Sequence, residues 1–468
     1  MSRDFAFASI RELAGDLKQR RVSSVEIVKA VLDRAHRYEP LLNSFITITP
    51  ELAIQRAREM DVEMARGRDR GPLHGVPIAI KDHIDSAGVP TTAGAKSRKS
   101  NVPAKDAAVT RRMKEAGAVI IGKANMNKFA SGESGENPDF GRIGNPWGKD
   151  FSPGGSSGGS GAHVAAGVVP LSIGSDNGGS VRIPAALCGV VGLKPTHGRV
   201  SQEGIHPRLY SLDHPGPLTR SVEDCAIALQ VLAGHDVGDT TTARKPVPDY
   251  TKQLRLAING IRVGVDPGYH TVGHAEVLTA FETALGVLRQ LGATVTDVSI
   301  PRYERLLAVG TTIAACEFAV AGANLYHDHP EDFDPVDVAD FKAGSIVPAV
   351  DYIRATQERR LLQVAFRSAT GSVDVFASPS YPLAPRPYGA YPRVQGREFT
   401  FADAIRYTFP FDVLGLPAIS VPDGFTPTAS PIGIQFVGRA FDEVTVLRVA
   451  YAYEQATEWR ERRPRLPD

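Results

Sequence analysis

The sequence predicts an α/β protein in which helices cover the faces of a β-sheet. Short apolar runs at residues 76–80 and 118–121 are typical of buried strands. Segments with apolar residues at helical spacing lie between such runs, and this alternation is typical of the α/β class. No repeat of 20–50 residues occurs in the sequence, which argues against a solenoid or a propeller.

Residues 1–66 are predicted to be mainly helical. Two pairs of residues have the spacing of a capping box, Ser9 with Glu12 and Ser23 with Glu26. We expect the second helix to end before Pro40, because the residue before a proline disfavours helical backbone angles. A short strand over 45–48 and a further helix over 50–66 complete this segment.

The same alternation continues along the rest of the chain. Helices are predicted over 105–116, 222–232, 275–291 and 359–366, and strands over 293–300 and 373–376. Residues 237–257 are polar and rich in turn formers, so we expect a surface linker there. We nevertheless predict a single domain over 1–468, with its most distinctive sequence features within 70–235, rather than a string of domains.

The composition is that of a soluble globular protein. Lys and Arg number 53 against 52 Asp and Glu, so there is no broad basic surface to bind nucleic acid. No apolar run is long enough to span a bilayer, and we expect no membrane span. The three cysteines lack metal-ligand spacing and are expected to be reduced thiols, which favours a cytoplasmic protein. No histidine lies in a metal-binding motif, so we expect neither a catalytic metal nor a cofactor.

Glycine is concentrated in one part of the chain. Sixteen of the 45 glycines fall within residues 141–204. A Gly/Ser tract such as 154–161 is usually a flexible linker, but this one is followed directly by residues 162–171, an Ala/Val-rich segment that must be buried. Consecutive glycines instead allow backbone N–H groups to converge on an anion. Because Ser180 follows Gly178 and Gly179, we interpret the segment as an oxyanion hole beside a nucleophile.

Two familiar motifs fail on inspection. Residues 117–123 match the start of a phosphate-binding P-loop, but Ala124 stands where a Ser or Thr should hold Mg²⁺, and the run between the glycines is apolar. Residues 154–158 match a G-x-S-x-G nucleophile elbow, yet a turn-rich loop precedes them where an elbow requires a strand.

Three long motifs resemble the amidase signature family. They span residues 75–82 (GVPIAIKD), 153–160 (PGGSSGGS) and 174–185 (GSDNGGSVRIPA). The separations of 75 residues from Lys81 to Ser156 and of 24 from Ser156 to Ser180 also agree with that family. Residues 189–196 and weaker segments over 415–422 and 431–435 extend the resemblance almost to the C-terminus.

The resemblance implies the amidase signature fold, a mixed, largely parallel central β-sheet covered by helices on both faces. It also implies a Ser–cis-Ser–Lys triad. Ser180 would be the nucleophile that is acylated. Ser156, preceded by a cis peptide bond, would pass the proton to Lys81, the final base.

The resemblance assigns further residues around this triad. The oxyanion hole would be formed by the backbone N–H groups of Asn177, Gly178, Gly179 and Ser180. Ser157, Asp176 and Arg182 would support the loop rather than take part in the chemistry.

On this basis we expect a hydrolase that cleaves C–N bonds of small or aryl amides. Carbamates and ureas are related substrates, because the same acyl chemistry on Ser180 serves all three. The expected partner is a small-molecule amide or carbamate, and a homodimer is left open. Aromatic residues could line the substrate pocket or simply pack; they are Tyr381, Tyr388, Tyr391, Phe401, Tyr407 and Phe409.

The main alternative within the family is the A-type component of a tRNA-dependent amidotransferase, which takes ammonia from glutamine inside a multi-protein complex. Asn127 and Lys128 stand where that component resembles an acidic pair. Ile405 stands where a glutamine-binding Asp is expected, and Asn177 replaces the commoner Thr. These departures favour a stand-alone amidase.

Two alternatives come from other classes. One is a Ser-His-Asp esterase with Ser156 as the nucleophile. The other is a non-catalytic subunit that uses the glycine-rich segment only to bind an anion.

Overall fold

The computed structural model describes residues 5–206, 209–300 and 303–467. Its strands are β1 (Phe45–Ile48), β2 (Pro77–Lys81), β3 (Val119–Ala124), β4 (Leu171–Asp176), β5 (Val191–Lys194), β6 (His214–Thr219), β7 (Arg262–Val265), β8 (Thr294–Asp297), β9 (Val375–Pro379), β10 (Arg393–Val394), β11 (Arg397–Glu398), β12 (Ala418–Phe425) and β13 (Pro431–Gly438). Its α-helices are α1 (Ile10–Lys18), α2 (Ser24–Leu42), α3 (Pro50–Ala65), α4 (Ala108–Glu115), α5 (Gly158–Ala165), α6 (Arg182–Cys188), α7 (Val222–Leu232), α8 (Ala275–Gln290), α9 (Tyr303–Ala321), α10 (Ala323–Asp328), α11 (Pro335–Ile346), α12 (Ala349–Ala369), α13 (Phe401–Ala404), α14 (Phe409–Val413) and α15 (Glu443–Gln455).

Eleven strands form one mixed sheet in the order β1-β3-β2-β4-β6-β5-β12-β13-β9-β7-β8. The predicted α/β class and mixed sheet are confirmed. The resemblance implies that parallel pairing prevails. The parallel pairs are β2 with β3, β2 with β4, β7 with β8 and β7 with β9. The other six neighbouring pairs in the described part of the sheet are antiparallel. Strand direction depends on how distant segments meet, which local apolar runs do not encode.

Helices pack on both faces of the sheet, as the sequence predicts. On β13, a side chain at Gly433 would lie 2.8 Å from Ala186 of α6. Successive residues of a strand point to opposite faces, so Phe436 points the other way, and its ring lies 6.0 Å from that of Tyr453 on α15. The central strands are therefore buried between two helical layers.

The N-terminal helices follow their predicted caps. Both capping boxes form, with Ser9 capping α1 and Ser23 capping α2. The predicted end before Pro40 is wrong, because α2 continues to Leu42. Pro40 lies in the last turn, and the helix ends where Asn43 adopts a left-handed φ of 44° and donates its N–H to Glu39 O. The first four residues of the predicted segment 1–66 lie outside the described residues.

The other predicted elements differ from the structure mainly at their ends, whereas the strands β4, β5, β6, β7, β12 and β13 were not predicted. The strand over 45–48 and the helix over 222–232 have the predicted bounds, whereas the helix predicted from residue 105 begins at Ala108. Residues 237–257 contain no helix or strand, yet Tyr250 and Leu254 are buried in the main core. This segment is therefore packed against the body of the protein.

The glycine-rich segment belongs to the core. Residues 162–171 are buried throughout, as predicted, and the Gly/Ser tract runs into α5 instead of forming a linker. The P-loop-like run forms strand β3, so its N–H groups are not available as a phosphate cradle. In the described ranges, no helix combines the length and the apolarity needed to cross a bilayer.

A buried carboxyl joins the N-terminal helix to α7. The N–H of Ile10 donates to Asp224 Oδ1 at 2.9 Å, and Asp224 is 1% exposed. Burial raises the pKa of Asp224 to about 6, although Arg220 acts in the opposite direction. Ionisation of Asp224 at neutral pH therefore weakens the folded state relative to the unfolded one.

Asp224→Asn is expected to change how stability depends on pH. Because the folded-state pKa is raised, the contribution of this carboxyl to stability is greatest below about pH 4, and up to about 3 kcal/mol of it is lost as the pH rises through 6. Asn keeps the acceptor for Ile10 and does not ionise, so the variant should match the wild type near pH 4 and exceed it at pH 7. Urea unfolding at the two pH values measures this difference. Asp351→Asn, at an exposed carboxylate on α12, serves as the control, and parallel profiles for all three proteins would contradict the prediction.

Candidate active site

Lys81 and Ser156 meet inside the protein. Lys81 is the last residue of the central strand β2, and Ser156 lies two residues before α5. The Nζ of Lys81 donates to Ser156 Oγ at 2.7 Å, and neither side chain is exposed. The peptide bond between Gly155 and Ser156 is cis, as the resemblance implies.

Ser175 is a third polar residue at this contact. Lys81 Nζ also donates to Ser175 Oγ at 3.0 Å. Ser157 forms two hydrogen bonds with the backbone of Ser175. Its Oγ donates to Ser175 O at 3.2 Å and accepts from Ser175 N at 3.3 Å. Ser157 therefore supports the position of the Lys81 amino group through Ser175. The motif contained Ser175, but its spacing alone gave it no role.

Ser180 lies on the tight loop between β4 and α6. Its carbonyl accepts from Ser157 N at 3.3 Å, which joins this loop to the one that carries Ser156. Ser180 is 6% exposed, whereas Ser156 is completely covered. The loops that carry Ser156 and Ser180 therefore contact each other, and Ser180 is the more accessible of the two serines.

The carboxylate of Asp176 organises the loop around Ser180. It accepts N–H groups from Gly179 at 2.7 Å, Val181 at 3.1 Å and Arg182 at 3.3 Å. The N–H groups of Asn177, Gly178 and Ser180 have no acceptor within the described residues. Three of the four predicted oxyanion donors are therefore available, and that of Gly179 is already used.

Asn177 contributes through its side chain as well. Its Nδ2 donates to Asp213 Oδ1 at 2.8 Å, and Asp213 Oδ2 accepts the N–H of Leu209 at 3.0 Å. The residue that departs from the commoner Thr therefore connects the glycine loop to the segment before β6. Sequence reasoning did not find Asp213, since no motif includes it.

Arg182 is the centre of a buried ionic cluster below the loop. Its guanidinium contacts Asp176 at 2.9 Å and Asp412 of α14 at 2.7 Å. It also donates to Thr408 O at 3.0 Å and Gln435 Oε1 at 3.1 Å. All five side chains are buried. Sequence analysis assigned Asp176 and Arg182 but missed the partners from α14 and β13, which lie more than 220 residues away.

The charges in this cluster shift the carboxyl pKa values in opposite directions. Burial alone would raise the pKa of Asp176, but Arg182 outweighs it and holds that pKa well below its usual range. Burial and the neighbouring Asp176 raise the pKa of Asp412. Burial opposes the charge of Arg182, but the two carboxyls outweigh this effect and raise its pKa. Of the two carboxyls, Asp176 is therefore the one that stays ionised beside Arg182.

A separate apolar cluster borders the loop, here called the Ile183 cluster. Its members are Ile183, Ala186, Leu187, Val272, Tyr381, Leu383, Val394, Phe399 and Ala404, with Tyr391 and Ile405 packed against them. A side chain at Gly179 would lie 2.6 Å from Ile183 Cδ1, so the cluster directly contacts the predicted oxyanion loop. This surface is apolar where it meets the site.

Most of the predicted pocket aromatics have packing or hydrogen-bonding roles. Tyr381 and Tyr391 both donate to the buried carboxylate of Glu133, at 2.8 and 2.6 Å. Tyr407 donates to Val272 O, and Tyr388 donates to Ile143 O. Phe401 is half exposed. Phe409 comes near the loop, since a side chain at Gly178 would lie 3.9 Å from its ring.

The residues at positions that depart from the amidotransferase pattern also form specific contacts. Lys128 forms an ion pair with Asp139 at 2.8 Å, and Asn127 donates to Glu136 O and accepts from Gly135 N. Ile405 packs its side chain against the Ile183 cluster. Among the described residues, no group of three His, Cys, Asp or Glu side chains could hold a metal ion.

Comparison with known proteins agrees with the motif resemblance. A sequence model for the family described as Amidase matches residues 26–447. The glutamyl-tRNA(Gln) amidotransferase A subunit of Carboxydothermus hydrogenoformans is 39% identical over 98% of this chain and 99% of its own. A crystal structure of an amidase is 34% identical, with a TM-score of 0.87 over 96% of this chain and 99% of that one. A structure described as revealing the origins of an s-triazine catabolic enzyme is 33% identical, with a TM-score of 0.90 over 96% and 98%.

Arg182→Met is expected to lower the free energy of unfolding by about 3–5 kcal/mol. The substitution leaves the carboxyls of Asp176 and Asp412 buried without their cation, which is the costly way to break an ion pair. Arg354→Met is the control, because its pair with Asp351 is exposed and should contribute less than about 1 kcal/mol. Urea unfolding of both variants measures the difference. Equal stability of the two variants would contradict the prediction that the buried cluster stabilises the fold.

Proposed function

The chain belongs to the amidase signature family, and we propose that it cleaves C–N bonds through an acyl-enzyme formed on Ser180. The hydrogen bond of 2.7 Å between Lys81 and Ser156 carries this proposal. It joins a buried amine to a buried hydroxyl, on a loop that is hydrogen-bonded to the more accessible Ser180. This is the arrangement that a base, a proton relay and a nucleophile require.

The reaction begins with neutral Lys81 as the base. Lys81 takes the proton of Ser156, Ser156 takes that of Ser180, and Ser180 Oγ attacks the carbonyl carbon. When the C–N bond breaks, the same relay returns the proton to the leaving nitrogen. Water then attacks the ester on Ser180 and passes a proton through Ser156 to Lys81. The relay returns that proton to Ser180 Oγ as the acyl C–O bond breaks, and the acid is released. General base catalysis of this kind contributes about 10²–10⁴ in rate.

Backbone N–H groups would stabilise the negative oxygen of the tetrahedral intermediate. Those of Asn177, Gly178 and Ser180 remain available, and one such donor is typically worth about 10²–10³ in rate. Asp176 and Arg182 would act as positioning residues beneath them, because their hydrogen bonds hold the loop and each other.

The apolar border of the site supports a small or aryl amide as the substrate, with carbamates and ureas as relatives. The Ile183 cluster consists of aliphatic and aromatic side chains, and Ile405 supplies an apolar side chain where an acidic one would bind glutamine. Lys128 adds a cation where an acidic pair was expected, and it is already paired with Asp139. These residues are the support for a stand-alone amidase.

A second candidate is the A-type component of a glutamyl-tRNA amidotransferase. Curated relatives with that name are 38–41% identical over 95–98% of this chain. This similarity favours the second candidate, whereas the side chains at Lys128 and Ile405 favour the first. In that case the same triad would release ammonia from glutamine, and the chain would act with partner proteins. The triad itself does not distinguish the two candidates, since both need an acyl-enzyme.

A serine-directed fluorophosphonate is expected to label Ser180. The phosphonyl group should form a covalent bond to Ser180 Oγ, because the relay through Ser156 and Lys81 activates that oxygen. Mass spectrometry of peptides locates the label. Ser180→Ala should abolish it, whereas Ser160→Ala, at a buried serine of α5, should leave it unchanged. A label on Ser156 with Ser180 unmodified would favour a Ser-His-Asp esterase instead.

A substrate panel separates the remaining candidates. The purified chain is incubated with an anilide, an aryl carbamate and glutamine, and the released amine or ammonia is measured. We expect the anilide or the carbamate to be hydrolysed by the chain alone, and Ser180→Ala to reduce the rate at least about 10³-fold. Ile405→Asp should raise the rate with glutamine relative to the anilide, because it adds a charge for the α-ammonium group. Activity restricted to glutamine would favour the amidotransferase component, and a chain with neither activity nor label would favour an anion-binding role.

A further inference from the structure

The peptide unit between Gly178 and Gly179 is hydrogen-bonded at both ends. Its carbonyl, on Gly178, accepts from Thr408 Oγ1 at 2.6 Å. Its N–H, on Gly179, donates to Asp176 Oδ1 at 2.7 Å. A peptide unit is planar, so two opposed hydrogen bonds fix the rotation of the whole unit. The neighbouring units carry the N–H groups of Gly178 and Ser180.

We infer that Thr408 is a positioning residue for the oxyanion hole. By holding the Gly178 carbonyl, it directs the N–H groups of Gly178 and Ser180 to the acyl oxygen and commits that of Gly179 to Asp176. The inference rests on the proposed function, because it gives Thr408 a role in stabilising the same intermediate on Ser180. Without the Thr408 hydroxyl, the peptide unit between residues 178 and 179 could rotate. The N–H groups of Gly178 and Ser180 would then point away from the acyl oxygen.

Thr408 is itself held firmly in place. Its side chain is buried, its carbonyl accepts from Arg182 Nη1 at 3.0 Å, and its N–H donates to Ile405 O at 3.0 Å. The hydroxyl has a second acceptor, Ile405 O, at 3.2 Å. It carries one proton, and the shorter distance favours the Gly178 carbonyl.

The same guanidinium fixes both hydrogen bonds of the peptide. Arg182 binds Asp176, which accepts the Gly179 N–H, and it binds the carbonyl of Thr408, whose hydroxyl holds Gly178. A movement of Arg182 would therefore disturb both ends of the peptide unit together. Thr408 therefore connects the ionic cluster of Arg182 to the loop that contains Gly178 and Gly179.

The close approach of Thr408 explains why residue 179 is glycine. A Cβ at this position would lie 2.8 Å from Thr408 Cβ, and closer still to its hydroxyl. The φ of Gly179 is also +127°, which side chains disfavour. Glycine here allows Thr408 to reach the loop and does not serve to expose another N–H donor.

The test compares Thr408→Val with Thr408→Ser. Val keeps the shape of the side chain and removes the hydroxyl, whereas Ser keeps the hydroxyl. The readout is the second-order rate of Ser180 labelling by a fluorophosphonate, because its P–O oxygen occupies the position of the acyl oxygen. We expect Thr408→Val to label about 10–100-fold more slowly, somewhat less than the loss of one donor. Thr408→Ser should label within about threefold of the wild type.

Steady-state kinetics with the hydrolysed panel substrate provides a second readout. Thr408→Val should lower kcat by a similar factor and leave KM within about twofold, because the oxyanion forms only in the transition state. A purely structural role would not separate Val from Ser in this way. If Thr408→Val does not fold, as judged by its thermal midpoint, Thr408→Ala replaces it.

Each outcome has one meaning. A labelled wild type with an equally fast Thr408→Val overturns the inference and leaves the proposed function intact. Equal losses in Thr408→Val and Thr408→Ser, or a change confined to KM, also overturn it. A wild type that is not labelled at Ser180 overturns the proposed function, and the inference with it.

Discussion

The contact between the Arg182 guanidinium and Asp176 is the interaction on which the site depends. Without a cation, a carboxylate at the buried end of β4 would be neutral, and a neutral carboxyl would hold three N–H groups of the following loop less firmly. The same cation reaches α14 and β13, so distant parts of the chain are fixed relative to Ser180. The hydrophobic core assembles the sheet, and this charge pair sets the position of the loop within it.

Sequence reasoning predicted the proposed reacting residues more completely than the residues that hold them in position. Lys81, Ser156, Ser180, Asp176 and Arg182 lie within the three motifs that resemble the amidase signature family, and that resemblance implied their grouping. Thr408 and Asp412 approach from a segment far along the chain, and no local spacing marks them. Whether an N–H such as that of Gly179 is available also depends on its acceptor, which only the three-dimensional arrangement reveals.

The secondary-structure elements also divide into features set by the local sequence and features set by distant contacts. Capping residues determined the start of α1 and α2 locally, and apolar runs predicted β1, β2, β3, β8 and β9 among the thirteen described strands. The end of α2 was missed because packing overrode the effect of Pro40, and the direction of each strand could not be derived locally because it depends on which segments become neighbours. Substrate specificity is harder to predict from the sequence. Lys81 lies on a strand within one motif, whereas the Ile183 cluster combines α6 with several separate segments that precede β12.

The position of Lys81 has a consequence for how the protein responds to stress. Its backbone pairs with β3 on one side, and β2 pairs with β4 on the other, in the interior of the largest sheet. Such strands open only when most of the fold opens, whereas loops at the rim open far more readily. Lys81 therefore belongs to the same cooperative unit as the core. Local fluctuations of the loops at the rim can occur without exposing its amine to solvent.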